Sequence, residues 1–153
     1  MTEVHSGGCA CGAVRYQVHG KPTVGTVCHC SFCQRRLASA FAVLATFPEQ
    51  SVELLQGQLA ECEHRSDESG RWLRMNFCSK CGTTVSHTAE IRPGARTIAA
   101  GTFDDANWFN IDRHIWVRSK VPWVSVPEGV AIYQQGFVPS PPSDMIQTKE
   151  KCL

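Results

Sequence analysis

A chain of 153 residues, 42% hydrophobic and 19% charged, has the composition of an ordinary globule with one core. Lys and Arg number 15 against 14 Asp and Glu, a net charge of +1, and the basic residues are scattered. Bulk electrostatics therefore gives no reason to expect nucleic-acid or membrane affinity, and no apolar run is long enough to span a bilayer.

The N-terminus, Met1-Thr2-Glu3-Val4-His5-Ser6, lacks the basic and apolar regions of an export signal, so a cytoplasmic location is expected. In chain order, Ala13-Val14-Arg15-Tyr16-Gln17-Val18 alternates apolar and polar residues as a half-buried strand does. A short helix is expected after Cys33, from Gln34 to Ala38. Phe41 to Phe47 is an apolar, β-leaning run that stops at Pro48. Val52 to Leu55 and Leu59 to His64 flank Gly57, which predicts a hairpin. Trp72 to Phe77 alternates again and leads directly into Cys78. Thr83 to His87, Thr97 to Ala100 and Ile115 to Val117 are further strand candidates. Many short strands with Gly and Pro between them predict a mainly β domain over 1–138, with at most short helical turns. The Pro- and Ser-rich stretch from Pro139 predicts a flexible tail over 139–153.

Seven of the nine cysteines lie in three tight clusters: Cys9 with Cys11, then Cys28, Cys30 and Cys33, then Cys78 with Cys81. Sulfurs this close in sequence do not pair readily into unstrained disulfides, and in a reducing cytosol such thiolates select zinc, less often an iron–sulfur cluster. Cys9-Ala10-Cys11-Gly12 and Cys78-Ser79-Lys80-Cys81-Gly82 share a design in which glycine supplies the positive φ of a knuckle wrapped round a metal. Two knuckles of two sulfurs each make a closed structural zinc site of four thiolates. Cys28, Cys30 and Cys33 supply three sulfurs from one loop, which leaves a second zinc with an open position. The order of residues also permits Cys9, Cys11, Cys28 and Cys30 in one site and Cys33, Cys78 and Cys81 in the other; buried metal-free thiols are the plainest alternative. His29, between two ligands, should point away from the ion they share. Cys62 reads as a packed strand cysteine, and Cys152 as an exposed one without a role.

These segments resemble the glutathione-dependent formaldehyde-activating enzyme family, whose domain also occurs in centromere protein V. The resemblance runs over about residues 5 to 137. It is carried by Gly7 to Tyr16, Cys28 to Cys33, Asn76 to Thr83, Ala100 to Asp105, His114 to Lys120 and Pro122-Trp123. It implies zinc-stapled coiled β-sheets, with a structural zinc on Cys9, Cys11, Cys78 and Cys81 and a labile, catalytic zinc on Cys28, Cys30 and Cys33. It further implies condensation of glutathione with formaldehyde to S-hydroxymethylglutathione, a carbon–sulfur lyase chemistry, with a small thiol and a small aldehyde as partners. The chain departs from the family at Gln34, commonly basic there, and at Ala38, frequently glycine.

The remaining candidates carry two readings each. Trp116 and Trp123 read first as packing, and His114 as a satisfied core histidine ahead of a site residue. Asp104-Asp105 reads as turn chemistry. Arg35 and Arg36 face either an anionic substrate such as a glutathione carboxylate, or solvent. The rival to an enzyme is a zinc-stabilised binding module whose two metal sites are both structural.

Overall fold

The computed structural model describes residues 3–136. The expected tail over 139–153, and Cys152 within it, lie outside the described residues. Eleven strands dominate these residues: β1 (Val4–Gly8), β2 (Arg15–His19), β3 (Val24–Cys28), β4 (Ala42–Pro48), β5 (Val52–Gln56), β6 (Leu59–Arg65), β7 (Trp72–Cys78), β8 (Thr84–Ala89), β9 (Ala95–Ala99), β10 (Arg113–Ile115) and β11 (Ala131–Ile132). Among the described residues the one α-helix, α1, runs Ser31–Leu37, and short 3₁₀ turns supply the remaining helical residues. The fold is mainly β, as the alternating segments predict.

The strands form a three-stranded sheet in the order β1-β2-β5 and an eight-stranded sheet in the order β11-β10-β3-β4-β9-β8-β7-β6. Pairing is antiparallel except at β10, which lies parallel to both β3 and β11. The main core forms where the small sheet covers one face of the large one. Val14, Tyr16 and Val18 meet Ala45, Phe47, Val85 and Ile98 there, with Cys9 and Cys78 in the same cluster. A second cluster of Cys28, Cys33, Ala42 and Leu44 sits beneath α1, with Leu37, Ile115 and Trp116 packed against it.

The hairpin expected at Gly57 does not form. Gly57 has φ +82°, so the chain does turn, but β5 joins β2 in the small sheet while β6 joins β7 in the large one. Each strand finds apolar cross-strand partners elsewhere: Val52 lies opposite Val18, and Leu59 opposite Cys78. A Cβ at Gly57 would stand 2.2 Å from the Ala13 carbonyl oxygen, so the close approach of these segments also requires glycine.

The helix begins earlier than expected, at Ser31, because the Cys30 sulfur accepts the Cys33 N–H at 3.3 Å and caps it. Cys33 is thus a helical residue, not a loop residue preceding a helix. Val117 lies in a 3₁₀ turn after β10, and Trp123 is 75% exposed and no part of the core. Cys62 is exposed as well, because β6 is the edge strand of the large sheet.

Candidate metal centres and the sheet face beside them

The two glycine-terminated knuckles fold alike. Gly12 and Gly82 both have φ +74°. The Gly12 N–H donates to the Cys9 carbonyl at 3.0 Å, and the Gly82 N–H to the Cys78 carbonyl at 2.8 Å. Cys9 N–H donates to Val14 O at 3.1 Å and Cys78 N–H to Thr83 O at 2.9 Å, closing each turn onto the strand beside it. Thr83 ties the knuckles together: its Oγ1 accepts the Ala10 N–H at 3.2 Å and lies 3.2 Å from the Cys81 sulfur.

The ligand sulfurs of Cys9, Cys11, Cys78 and Cys81 all lie within 4.8 Å of one another. Cys9 and Cys11 Sγ are 3.5 Å apart, and Cys11 and Cys78 Sγ 3.9 Å. Sulfurs about 2.3 Å from one tetrahedral zinc stand about 3.8 Å apart, so this donor set could hold zinc without rearrangement. The Val14 N–H donates to the Cys9 sulfur at 3.2 Å, which favours its thiolate.

The sulfurs of Cys28, Cys30 and Cys33 form a second group, also within 4.8 Å of one another. Among the described residues, no fourth Cys, His, Asp or Glu donor joins them. Cys28 ends β3, Cys30 caps α1 and Cys33 lies in its first turn, so a strand end and a helix start aim three sulfurs at one point. Cys28 and Cys33 are buried, whereas Cys30 is partly open.

Without a cation, three sulfurs this close cannot all ionise. Hydrogen bonds from Cys28 and then Cys33 to the Cys30 thiolate bring its pKa down to about 3. The hydrogen bonds of Cys28 with Cys30 and then Cys33, together with burial, push its own thiol far up. At Cys33 a bond from Cys28 favours the thiolate, but the bond to Cys30 and burial outweigh it and the pKa rises to about 11. A divalent cation would relieve that competition by favouring the thiolate at all three sites.

His29 points away from this group. Its Nε2 lies 2.9 Å from His114 Nδ1, and both rings are buried. Burial first, then the charges of His114 and Lys120, pulls the His29 pKa down; burial alone does so for His114. Burial thus disfavours a charge on either ring, and one of the two facing nitrogens donates to the other. Gln34 pins the loop from the other side: its Nε2 donates to His29 O at 2.8 Å and to Ser119 O at 2.9 Å.

Beside the three-cysteine group the large sheet carries a buried polar band that the sequence did not signal. Cys28 and Thr26 are two residues apart on β3 and share a face. On that face Thr26 Oγ1 accepts the Arg113 Nε–H at 3.2 Å. Thr46 and Thr97 Oγ1 lie 3.0 Å apart, and His87 stands opposite Thr97. All are buried. Burial, followed by the charges of Arg36, Arg92 and Arg96, drives the His87 pKa down to about 3.

Arg35 is exposed, as a solvated helix face requires. Arg36 differs, because its three guanidinium nitrogens are buried without a hydrogen-bond partner. Asp105 does make turn chemistry, accepting the Asn107 N–H at 2.8 Å, while Asp104 forms an ion pair with Arg15.

A crystal structure of a Rhodobacter sphaeroides protein is similar to this chain, with a TM-score of 0.52 and 24% identity. The likeness covers 67% of this chain and 91% of that one, and it speaks for the fold. The family model described as glutathione-dependent formaldehyde-activating enzyme matches residues 4–119, most of the chain. With both cysteine groups inside the matched span, this protein belongs to the glutathione-dependent formaldehyde-activating enzyme family.

Proposed function

We propose that this protein catalyses the reversible addition of a small thiol, glutathione in the first instance, to a small aldehyde such as formaldehyde. The observation that supports it is a group of three converging sulfurs with no fourth donor among the described residues, in a chain that also carries a group of four. Cys28, Cys30 and Cys33 would hold one zinc, and Cys9, Cys11, Cys78 and Cys81 would hold the other as a staple between the small sheet and the large one. A zinc held by those three thiolates would supply a Lewis acid with room for an external donor, and would lower the pKa of an incoming thiol.

The chain's own groups shape the rest. Leu37, Leu44, Ile115 and Trp116 pack around the three sulfurs and exclude water from their inner side. The buried His29–His114 pair fixes the backbone between Cys28 and Cys30, and Gln34 fixes it to Ser119. In the forward direction a bond forms between thiol sulfur and aldehyde carbon, and the thiol proton ends on the new hydroxyl. The reverse breaks that carbon–sulfur bond, so no oxidant or reductant is required.

The test joins zinc stoichiometry to rate, on wild type and Cys30→Ser. The expected result is two zincs in wild type and one in a folded variant that has lost the acceleration of thiol–formaldehyde exchange measured by NMR. Wild type with no rate above the spontaneous reaction across thiols and aldehydes would refute the proposal. Two zincs equally resistant to mild chelation would favour the binding-module reading in its place.

A further inference from the structure

Of the arginines on α1, Arg35 is exposed, whereas Arg36 has all three guanidinium nitrogens shielded from solvent and without a hydrogen-bond partner among the described residues. The ion pairs of those residues engage Arg15, Arg65, Arg74, Arg96 and Arg118 instead. Both α1 arginines stand in its last turn, where a cation suits the helix dipole. That is reason enough for Arg35. It does not explain why the head of Arg36 leaves water without taking a terminal carbonyl in return. His87, which the Arg36 charge also reaches, is kept neutral first by burial, with a pKa of about 3, and supplies no counter-charge.

Helix geometry places the head of Arg36 over the cysteine site. Arg36 follows Cys33 by three residues on α1, which sets their Cβ atoms about 5–6 Å apart on one face. A long helical side chain leans back toward the N-terminus and covers the turn before its own Cα. For Arg36 that turn carries Phe32 and Cys33. Cys33 is buried there. After its bonds with Cys28 and Cys30 and its burial, the charge of Arg36 also acts on it, in favour of the thiolate. A cation out of water is costly unless a negative charge lies against it. The three converging sulfurs are that charge: as thiolates round a divalent cation they would outweigh it by one unit. An anionic donor at the open position would add a second unit, and a neutral donor would add none.

We infer that Arg36 is a positioning residue of the three-cysteine site, whose buried positive charge makes the open position favour an anionic donor, such as a thiolate or hydroxide, over a neutral one. The inference rests on the proposed metal site at Cys28, Cys30 and Cys33. Arg36 acts through the charge of that site and needs no contact with the rest of an incoming molecule.

The test uses protein loaded with cobalt(II) in place of zinc, whose visible absorption reports the donors bound to the metal. Azide, an anion, and imidazole, neutral at about pH 8, are titrated into wild type, Arg36→Met, Arg36→Gln and Arg36→Lys. The four-sulfur group has its full set of donors and should stay silent in the same spectra. Loss of one positive charge at this range should weaken azide roughly tenfold or more and leave imidazole within about twofold. Arg36→Lys should keep most of the azide affinity, because the charge matters here and the planar fork does not. Arg36→Met keeps the bulk of the side chain, so a packing role would spare both donors or shift both alike. Equal weakening of both donors overturns the inference, as does an azide affinity unchanged in Arg36→Met and Arg36→Gln. So does an Arg36→Lys variant as weak for azide as Arg36→Gln. Should both uncharged variants fail to fold, wild type decides the matter: azide is expected to bind more tightly than imidazole, and the reverse order overturns the inference. A three-cysteine group that takes up no cobalt overturns the thiol–aldehyde reading and the inference together. The expected spectra in a protein without thiol–aldehyde rate overturn the reading alone, so the two failures are told apart.

Discussion

Ala38 offers a stability prediction whose sign and size follow from one pair of dihedral angles. It closes α1 with φ 47° and ψ 45°, in the left-handed region where an L-residue costs about 1–2 kcal/mol. Replacement by glycine removes that strain and restores about 0.5–1 kcal/mol of unfolded-state freedom, so the net gain is about 1 kcal/mol. Packing does not intervene, because Ala38 is exposed. The capping bonds, Ala38 N–H to Arg35 O at 3.4 Å and Ser39 N–H to Gln34 O at 3.1 Å, use backbone that glycine retains. In a chain of 153 residues this corresponds to a rise in Tm of roughly 2–4 °C. Thermal unfolding of zinc-saturated Ala38→Gly, followed by circular dichroism, reads it directly. Ala38→Val, with its branched Cβ, should move Tm the other way. A glycine variant that melts at or below wild type would refute the reasoning, since it would mean that the left-handed turn carries no strain worth relieving.

Three further outcomes are expected. The folded pKa of His87 lies near 3, below its unfolded value of about 6.5, so the unfolded chain takes up a proton that the folded one refuses. The stability this represents is complete above pH 6.5 and falls as pH drops, by up to about 1.4 kcal/mol per unit. His87→Gln should flatten that slope between pH 7.5 and 5.5 in chemical denaturation, and an unchanged slope would contradict it. Tyr16→Phe removes the 2.9 Å bond to Thr102 Oγ1 inside the core and should cost about 1 kcal/mol in urea unfolding, with the chain still folded. Gln34→Ala frees the loop between Cys28 and Cys33 from Ser119 and should speed metal release to a chelator from one site about tenfold, leaving the other unaffected. Equal acceleration at both sites would mean that Gln34 acts on the whole fold.

The parts of this molecule legible in its sequence are those set by short-range rules. β2, β4 and β7 follow from period-two alternation or an apolar run ended by proline, within a residue or two of their observed bounds. The knuckles follow from cysteines one or two residues apart ahead of glycine, because a positive φ is a local requirement. β1 and β3 escaped the same reading: Val4-His5-Ser6-Gly7-Gly8 is too polar, and Val24-Gly25-Thr26-Val27-Cys28, nearly all buried, does not alternate. The helix was located but started late, because a cysteine sulfur serving as its cap leaves none of the usual Ser, Thr, Asp or Asn signal.

Sequence alone therefore determined the mainly β character, the local shape of each cysteine turn and the short helix beside Cys33, since each rests on neighbours within a few residues. Tertiary structure decided which sulfurs meet across 67 residues of chain, and which strands meet across Gly57. It also decided that Arg36, Arg92 and Arg96 bring their charges to His87. Pairing over such separations is chosen by the burial of apolar faces against one another, and a charge becomes conspicuous only when packing removes it from water. Arginine 35 and arginine 36 are identical neighbours in the sequence; the fold alone exposes one and buries the head of the other.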